Sequence, residues 1–198
     1  MKDFWNSRYA ETDFAYGAEP NEFLKEYLDF LPKGKILFPA EGEGRNAVFV
    51  AQNNREVCAF DMSEEGKKKA LDLAEIKKVS LDYEVCSAMG MPYKPDSFDG
   101  LVLIFAHFPK SIRKEVHQKL LTLVKPGGKI LFEAFSKEQL KYSSGGPKDV
   151  EMLFSPEEVK EEFPGVVFEQ LEKKVIVLNE GKYHQGEGSV IRFLGTKE

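Results

Sequence analysis

Apolar positions along this chain set up first a helical rhythm and then a series of short strands with helices between them. From Pro20 to Leu31 the residues Phe23, Leu24, Tyr27, Leu28 and Leu31 share one helical face, with Pro20 suited to the first turn and Pro32 ending the pattern. Apolar runs at 35–40, 56–61, 81–87, 99–106 and 129–135 each read as a strand. Helical segments lie between them at 44–52, from Ser63 onward and at 111–124. Ser63 is placed as an N-cap, and Glu64 and Glu65 stand in the first turn, where negative charge is favoured. The unbroken run from Leu101 to Phe105 predicts a central strand covered on both faces. At Lys125-Pro-Gly-Gly128 the proline and glycines stop a helix, a role that leaves Gly127 and Gly128 without a ligand. Alternation of this kind requires a parallel sheet with right-handed crossovers.

The rhythm changes towards the end. After a long segment, 136–154, with Ser143-Ser-Gly-Gly-Pro147 inside it, a capping box at Ser155-Pro-Glu-Glu158 opens a short helix that Pro164-Gly165 closes. Strands at 166–178 and 188–196 follow, separated by a polar turn, and predict an antiparallel hairpin at the sheet edge. Ahead of the first helix lies an arm with Trp5, Tyr9, Phe14 and Tyr16, too aromatic for a disordered tail and too irregular for a clean helix. The arm and 136–154 are expected to act as lids over a reactive site.

Composition narrows the chemistry. At 198 residues and 42% hydrophobic the chain suits one domain, 1–198, and its formal charge of −5 argues against a nucleic-acid partner. The lysine clusters at 67–69, 77–78 and 173–174 read as solvated faces. No stretch approaches the roughly 18 apolar residues of a membrane span, and the polar start lacks the apolar core of a signal peptide, so the expected location is the cytoplasm. Cys58 and Cys86 lie in strand-like runs without metal-ligand spacing and read as inert buried thiols, with no metal site expected.

The most informative segment is Lys35-Ile-Leu-Phe-Pro-Ala-Glu-Gly-Glu-Gly-Arg-Asn-Ala47, where an apolar run passes through a glycine turn into a helical pattern. Gly42 and Gly44 let the backbone bend sharply and approach a ligand, while the next helix presents unpaired N–H groups. The letters also satisfy the dinucleotide pattern at Gly42, Gly44 and Ala47. Glu41 and Glu43, however, would repel a pyrophosphate and attract a cofactor bearing a sulfonium and an ammonium. The cofactor inferred is S-adenosylmethionine. Asp61, closing the second strand, is placed to accept both ribose hydroxyls, its alternative role being to cap the following helix.

With these elements in order, the chain resembles the class I S-adenosylmethionine-dependent methyltransferases over nearly its whole length. The resemblance rests on the glycine turn, on Ala59-Phe-Asp-Met-Ser63, on Ser97-Phe-Asp99 and on Leu123-Val-Lys-Pro-Gly-Gly128. It implies an α/β, Rossmann-like three-layer sandwich with a mostly parallel seven-stranded sheet and a C-terminal antiparallel hairpin, residues 1–31 covering the active site. Within that group, Phe4-Trp-Asn-Ser-Arg-Tyr9, Phe14-Ala-Tyr-Gly-Ala-Glu-Pro-Asn21 and Gly44-Arg-Asn46 are similar to the tellurite-resistance type. The family's usual acidic residue at the end of the first strand is Phe38 here, and its first glycine is Ala40. Glu41 or Glu43 is the substitute source of charge.

The resemblance also places Met62 and Ser87-Ala88-Met89 around the adenine, with Met89 equally readable as core. Four residues are candidates on the acceptor side: His107, just after the fourth strand; His184, between the last two strands or merely a polar turn residue; Tyr16; and Arg45, a surface charge or a cation facing the cleft. His117 reads as solvent-exposed. The run Phe105-Ala-His-Phe-Pro109 replaces the Asn/Asp-Pro-Pro-Tyr of amine-methylating nucleic-acid enzymes. The expected function is in-line methyl transfer to a small molecule, including a thiol, selenium or tellurium species. An NAD(P)-dependent reductase and a non-enzymatic S-adenosylmethionine-binding module stay open beside it.

Overall fold

The computed structural model describes residues 1–198. Seven strands form one sheet: β1 (Lys35–Pro39), β2 (Glu56–Asp61), β3 (Asp82–Val85), β4 (Phe98–Ile104), β5 (Val124–Phe135), β6 (Val166–Glu180) and β7 (His184–Lys197). Their order is β3-β2-β1-β4-β5-β7-β6, parallel through β5 and antiparallel at β7 and β6. The helices are α1 (Lys2–Tyr9), α2 (Glu22–Glu26), α3 (Arg45–Gln52), α4 (Glu64–Ile76), α5 (Lys110–Leu123) and α6 (Pro156–Glu162). The fold is the expected Rossmann-like α/β sandwich. Strand connections reverse direction between β1 and β4, the place where open sheets of this kind hold ligands at their carboxyl ends.

Period-two alternation builds the two cores. Ile36, Phe38, Val57, Ala59 and Val102 face one side and pack with Phe23, Ala47, Val50 and Ala70. Leu37, Cys58, Phe60, Leu101 and Leu103 face the other and pack with Val116, Leu120, Val159 and Phe163. This two-sided cover is why the Leu101–Phe105 run carries no polar alternation. Both serine caps form as expected: Ser63 Oγ accepts from the Gly66 amide, and Ser155 and Glu158 close a reciprocal capping box.

Several boundaries differ, each for a tertiary reason. The arm begins as a regular helix, α1, because Asn6 Oδ1 accepts from the Ser63 hydroxyl at 2.7 Å and from the Glu64 amide at 3.1 Å, tying it to the start of α4. Asn21 rather than Pro20 starts the next helix, its side chain accepting from the Leu24 amide, and α2 ends at Glu26 before a 3₁₀ turn at Leu28–Phe30. β5 begins at Val124, which pairs with Phe98, and the Lys125–Gly128 stretch bulges before pairing resumes between Gly100 and Lys129. The hairpin strands run further than their apolar pattern, to the pair Glu180 and His184, so the turn is only Gly181–Tyr183. Within 136–154, 3₁₀ turns form at Lys137–Lys141 and Val150–Met152.

His117 is fully buried, which corrects its assignment to solvent. Its ring stacks on Phe163 at 4.7 Å, and Nδ1 lies 2.7 Å from Glu162 Oε2. The polar stripe of α5 formed by Arg113 and His117 faces α6, whose Glu162 supplies the opposite charge. A helix face that looks solvated by sequence is thus the seam between two helices.

Candidate active site

The glycine turn sits at the carboxyl end of β1. Ala40 and Gly42 have φ of 51° and 61°, and Gly44, the N-cap of α3, has 82°. Only glycine fits at position 42: a Cβ there would lie 2.5 Å from the Tyr9 hydroxyl. The Gly42 amide donates to Asp61 Oδ2 at 3.1 Å, and its carbonyl accepts from the Tyr83 hydroxyl at 2.6 Å. The turn is therefore held rigidly from both sides.

The two turn carboxylates have different surroundings. Glu41 Oε1 accepts from the Asn46 and Ala47 amides at 2.9 and 2.8 Å, capping α3, while Oε2 makes no bond within the protein. Burial pushes its pKa up to about 7, against the pull of those amides. Glu43 is buried between the arm and α4, accepting from the Ala15 amide at 2.8 Å and from Lys69 at 2.9 Å. It does not point into the cleft as a spare charge; it fastens the arm.

Asp61 is buried, and its Oδ1 also accepts from the Ser63 amide at 2.9 Å. Burial lifts its pKa to about 6 despite three backbone donors. Its capping role is the one the contacts show, since it braces the start of α4 and the glycine turn together. Met62 is half-buried beside it. Past β3, Ser87 is exposed with Oγ accepting from Gly90, Ala88 is buried and Met89 packs on the core.

The structure separates the two cleft histidines. His107 Nδ1–H donates to the Met152 carbonyl at 2.8 Å, and Nε2 accepts from the Phe135 amide at 3.2 Å. With both nitrogens engaged and its pKa driven down to about 4 by burial, His107 pins the segment 150–154 to the sheet. It is not an available base, which corrects its place among the acceptor-side candidates. His184 is buried among Tyr16, Phe105 and Phe135, at ring distances of 4.5, 4.7 and 5.2 Å. Its Nδ1 faces Glu180 Oε2 at 3.2 Å.

Glu180 joins these candidates together. Its Oε2 also accepts from Arg45 Nη2 at 2.9 Å, and its Oε1 accepts from Asn21 Nδ2 at 3.0 Å. Burial raises its pKa, but the bonds and charges of His184 and Arg45 outweigh that and hold it at about 2. Asn21 continues to Glu133 at 2.7 Å, which pairs with Arg192. Arg45 is thus a buried, paired cation rather than a surface charge. Sequence reasoning missed Glu180, Asn21 and Tyr9 as members of the site. The four-residue spacing from Glu180 to His184 across a hairpin turn was the available signal, obscured because both strands look two to four residues shorter by pattern.

Residues 36–128 match the family described as a methyltransferase domain. No curated protein matches the sequence. Among solved structures, one described for the conversion of a disulfide bond into a thioacetal group during echinomycin biosynthesis shares 14% identity over 100% of this chain and 92% of its own, with a TM-score of 0.81. TehB from Haemophilus influenzae shares 15% identity over 100% of this chain and 67% of its own, with a TM-score of 0.74. A S-adenosylmethionine-dependent methyltransferase from Methanosarcina mazei shares 16% identity over 87% and 96%, with a TM-score of 0.67. These likenesses bear on the fold, whereas the family match bears on the chemistry and sets the reductase reading aside. Over residues 36–128 the chain matches a methyltransferase domain, and its fold is the one it shares with the S-adenosylmethionine-dependent neighbour.

Proposed function

We propose that this enzyme methylates a small-molecule acceptor through a chalcogen nucleophile, a thiol, selenium or tellurium species. The observation that carries the reading is the strap formed by the arm. Ala15 donates its amide to Glu43 on one side of the cleft, and its carbonyl accepts from the Lys182 and Tyr183 amides of the hairpin tip on the other, at 3.1 and 3.4 Å. Arg8 stacks on Tyr183 at 3.7 Å, and Lys182 and Tyr183 both bond Glu11. A macromolecular acceptor would have to displace this strap. Sulfur chemistry in the echinomycin-related neighbour adds support for a chalcogen.

On this reading the turn at Gly42–Gly44 holds the methionyl part, Glu41 Oε2 meets its ammonium, Asp61 binds the ribose, and Met62 with Ser87, Ala88 and Met89 flanks the adenine. The bound donor supplies an electrophilic methyl group; Tyr16, Arg45 and His184 shape the acceptor side. Labelled donor incubated with small thiols, selenium and tellurium species, proteins and nucleic acids tests it. Label is expected on small chalcogen acceptors, and label found only on macromolecules overturns the proposal.

Affinity for the donor should also depend on pH. A cation and a pair of hydroxyl donors both prefer ionised carboxylates, and Glu41 and Asp61 take up protons near pH 7 and 6. Binding near pH 6.5 is therefore expected to release protons, and affinity to fall as pH drops from 8 to 5.5. Calorimetry in buffers of different ionisation enthalpy reads both, and a flat profile would remove these two carboxylates from the cofactor site.

A further inference from the structure

We propose that His184 Nε2 is the general base that removes the proton from an uncharged thiol acceptor, with Glu180 as its positioning residue. This deepens the reading above and rests on it. Glu180 and His184 form a paired carboxylate and imidazole at the mouth of a two-strand turn, where the register places them directly opposite one another. With Nδ1–H donated to the carboxylate, the lone pair is left on Nε2, which has no partner within the protein and is not among its sealed, unsatisfied atoms. The contrast with His107, whose two nitrogens are both bonded, makes His184 the one imidazole of this aromatic wall with a nitrogen to offer.

The approach to Nε2 is shaped by the backbone around it. Gly145, at a φ of 125°, passes so close that a Cβ would lie 2.6 Å from His184 Cδ2 and 3.3 Å from Nε2. Phe105, after β4, holds a bulky side chain at a φ of 52° and packs edge-on to the His184 ring. Left-handed backbone at such a residue persists only where its surroundings enforce it. Both features stand at the carboxyl end of the sheet, as Asp61 does, where ligands of this fold are held. Tyr16 closes the other side; its burial raises its own pKa, so it stays a neutral hydroxyl.

In the proposed step the S–H proton moves to the Nε2 lone pair, and the freed electron pair on the acceptor sulfur forms the bond to the methyl carbon. The old carbon–sulfonium bond breaks with its electrons returning to the donor sulfur. The imidazolium, stabilised by Glu180, then passes its proton to water. Around the ring, burial and the charges of Arg45 on α3 and Arg8 on α1 lower the proton affinity of His184, while Glu180 on β6 raises it; His107 lies behind Phe135, and Tyr16 is uncharged. Thiol turnover should accordingly rise with pH along a limb below the ordinary imidazole value and then level.

The test pairs an alkyl thiol with the corresponding selenol, which is already ionised at neutral pH and needs no base. In His184→Asn, kcat with the thiol is expected to fall about 10²- to 10⁴-fold, and turnover with the selenolate to fall at least tenfold less than that, with calorimetric binding of S-adenosylmethionine retained. Glu180→Gln should move the acid limb to lower pH, and Glu180→Asp should restore part of the loss. Nitrogen-15 NMR of the donor-free protein gives a reading independent of turnover: Nδ1-protonated neutral His184, with a pKa that falls in Glu180→Gln. Equal losses on thiol and selenolate, or a His184 titration indifferent to Glu180, overturn the proposal. Failure of the parent protein to methylate any small thiol overturns the acceptor class, and the NMR result then still decides the pairing.

Discussion

Asp61→Ala is expected to lower affinity for S-adenosylmethionine by about 100-fold or more. Two ribose hydroxyls donating to one ionised carboxylate contribute roughly 1.5 kcal/mol or more each, and about 3 kcal/mol corresponds to roughly two orders of magnitude in Kd. The same side chain holds the Gly42 and Ser63 amides, so alanine also leaves two buried donors without partners and loosens the turn. Asp61→Asn separates these effects. It keeps a carbonyl acceptor for one amide while losing the charge and the paired geometry, and a fall of about tenfold is expected. Calorimetry with each folded variant measures the loss. Parental affinity in Asp61→Ala would remove the ribose assignment.

Glu162→Ala is expected to cost about 3 kcal/mol of stability, because it leaves a buried guanidinium with only its longer ion pair to Glu158. Arg113 Nε and Nη2 reach Glu162 Oε1 at 2.8 and 2.7 Å, while the partly exposed Glu158 pairs with Nη2 at a longer 3.6 Å. For a domain of this size the change corresponds to a Tm lowered by roughly 10 °C. The damage should spread to the cleft, since Arg113 Nη1 also donates to the Glu151 and Leu153 carbonyls that bracket the Met152 contact of His107.

Acid should attack the same seam. The pKa of His117 is lowered below its ordinary value by burial, so the unfolded chain protonates first and the contribution of His117 to stability is lost as pH falls below about 6.5. Glu162 is held below the usual carboxylate range: burial raises it, but the bonds to His117 and Arg113 prevail, and its contribution fades at still lower pH. Thermal melts of the variant and amide exchange at Val159–Phe163 against pH check both points. An unchanged Tm would show that the seam contributes nothing.

Local signals in the chain identify the elements well where a single segment contains its own reason. The caps at Ser63 and Ser155, the central strand after Phe98 and the stop after α5 all depend on neighbours a few residues away, and all are present. The arm failed as a pattern because α1 has no strong apolar face of its own; Asn6 and Tyr9 hold it against α4 and the glycine turn. His117 failed for a related reason: the partner that makes a polar helix face buriable lies 45 residues away.

By itself the sequence determined the alternation of strands and helices, the parallel sheet with its terminal hairpin, the glycine turn and the carboxylate at the end of β2. Periodicity, capping and turn chemistry act over a few residues and can be read from letters. Tertiary structure decided which of several similar side chains are available. Two histidines that look alike became a pinned structural ring and an open one, because the Met152 carbonyl and Phe135 amide meet the first and only Glu180 meets the second. Two glutamates of one turn became a helix cap with one oxygen to spare and a fastening for the arm. The physical reason is common to both cases: a hydrogen-bonding group is defined by the partners that satisfy it, and those partners come from elements that only the folded chain brings together.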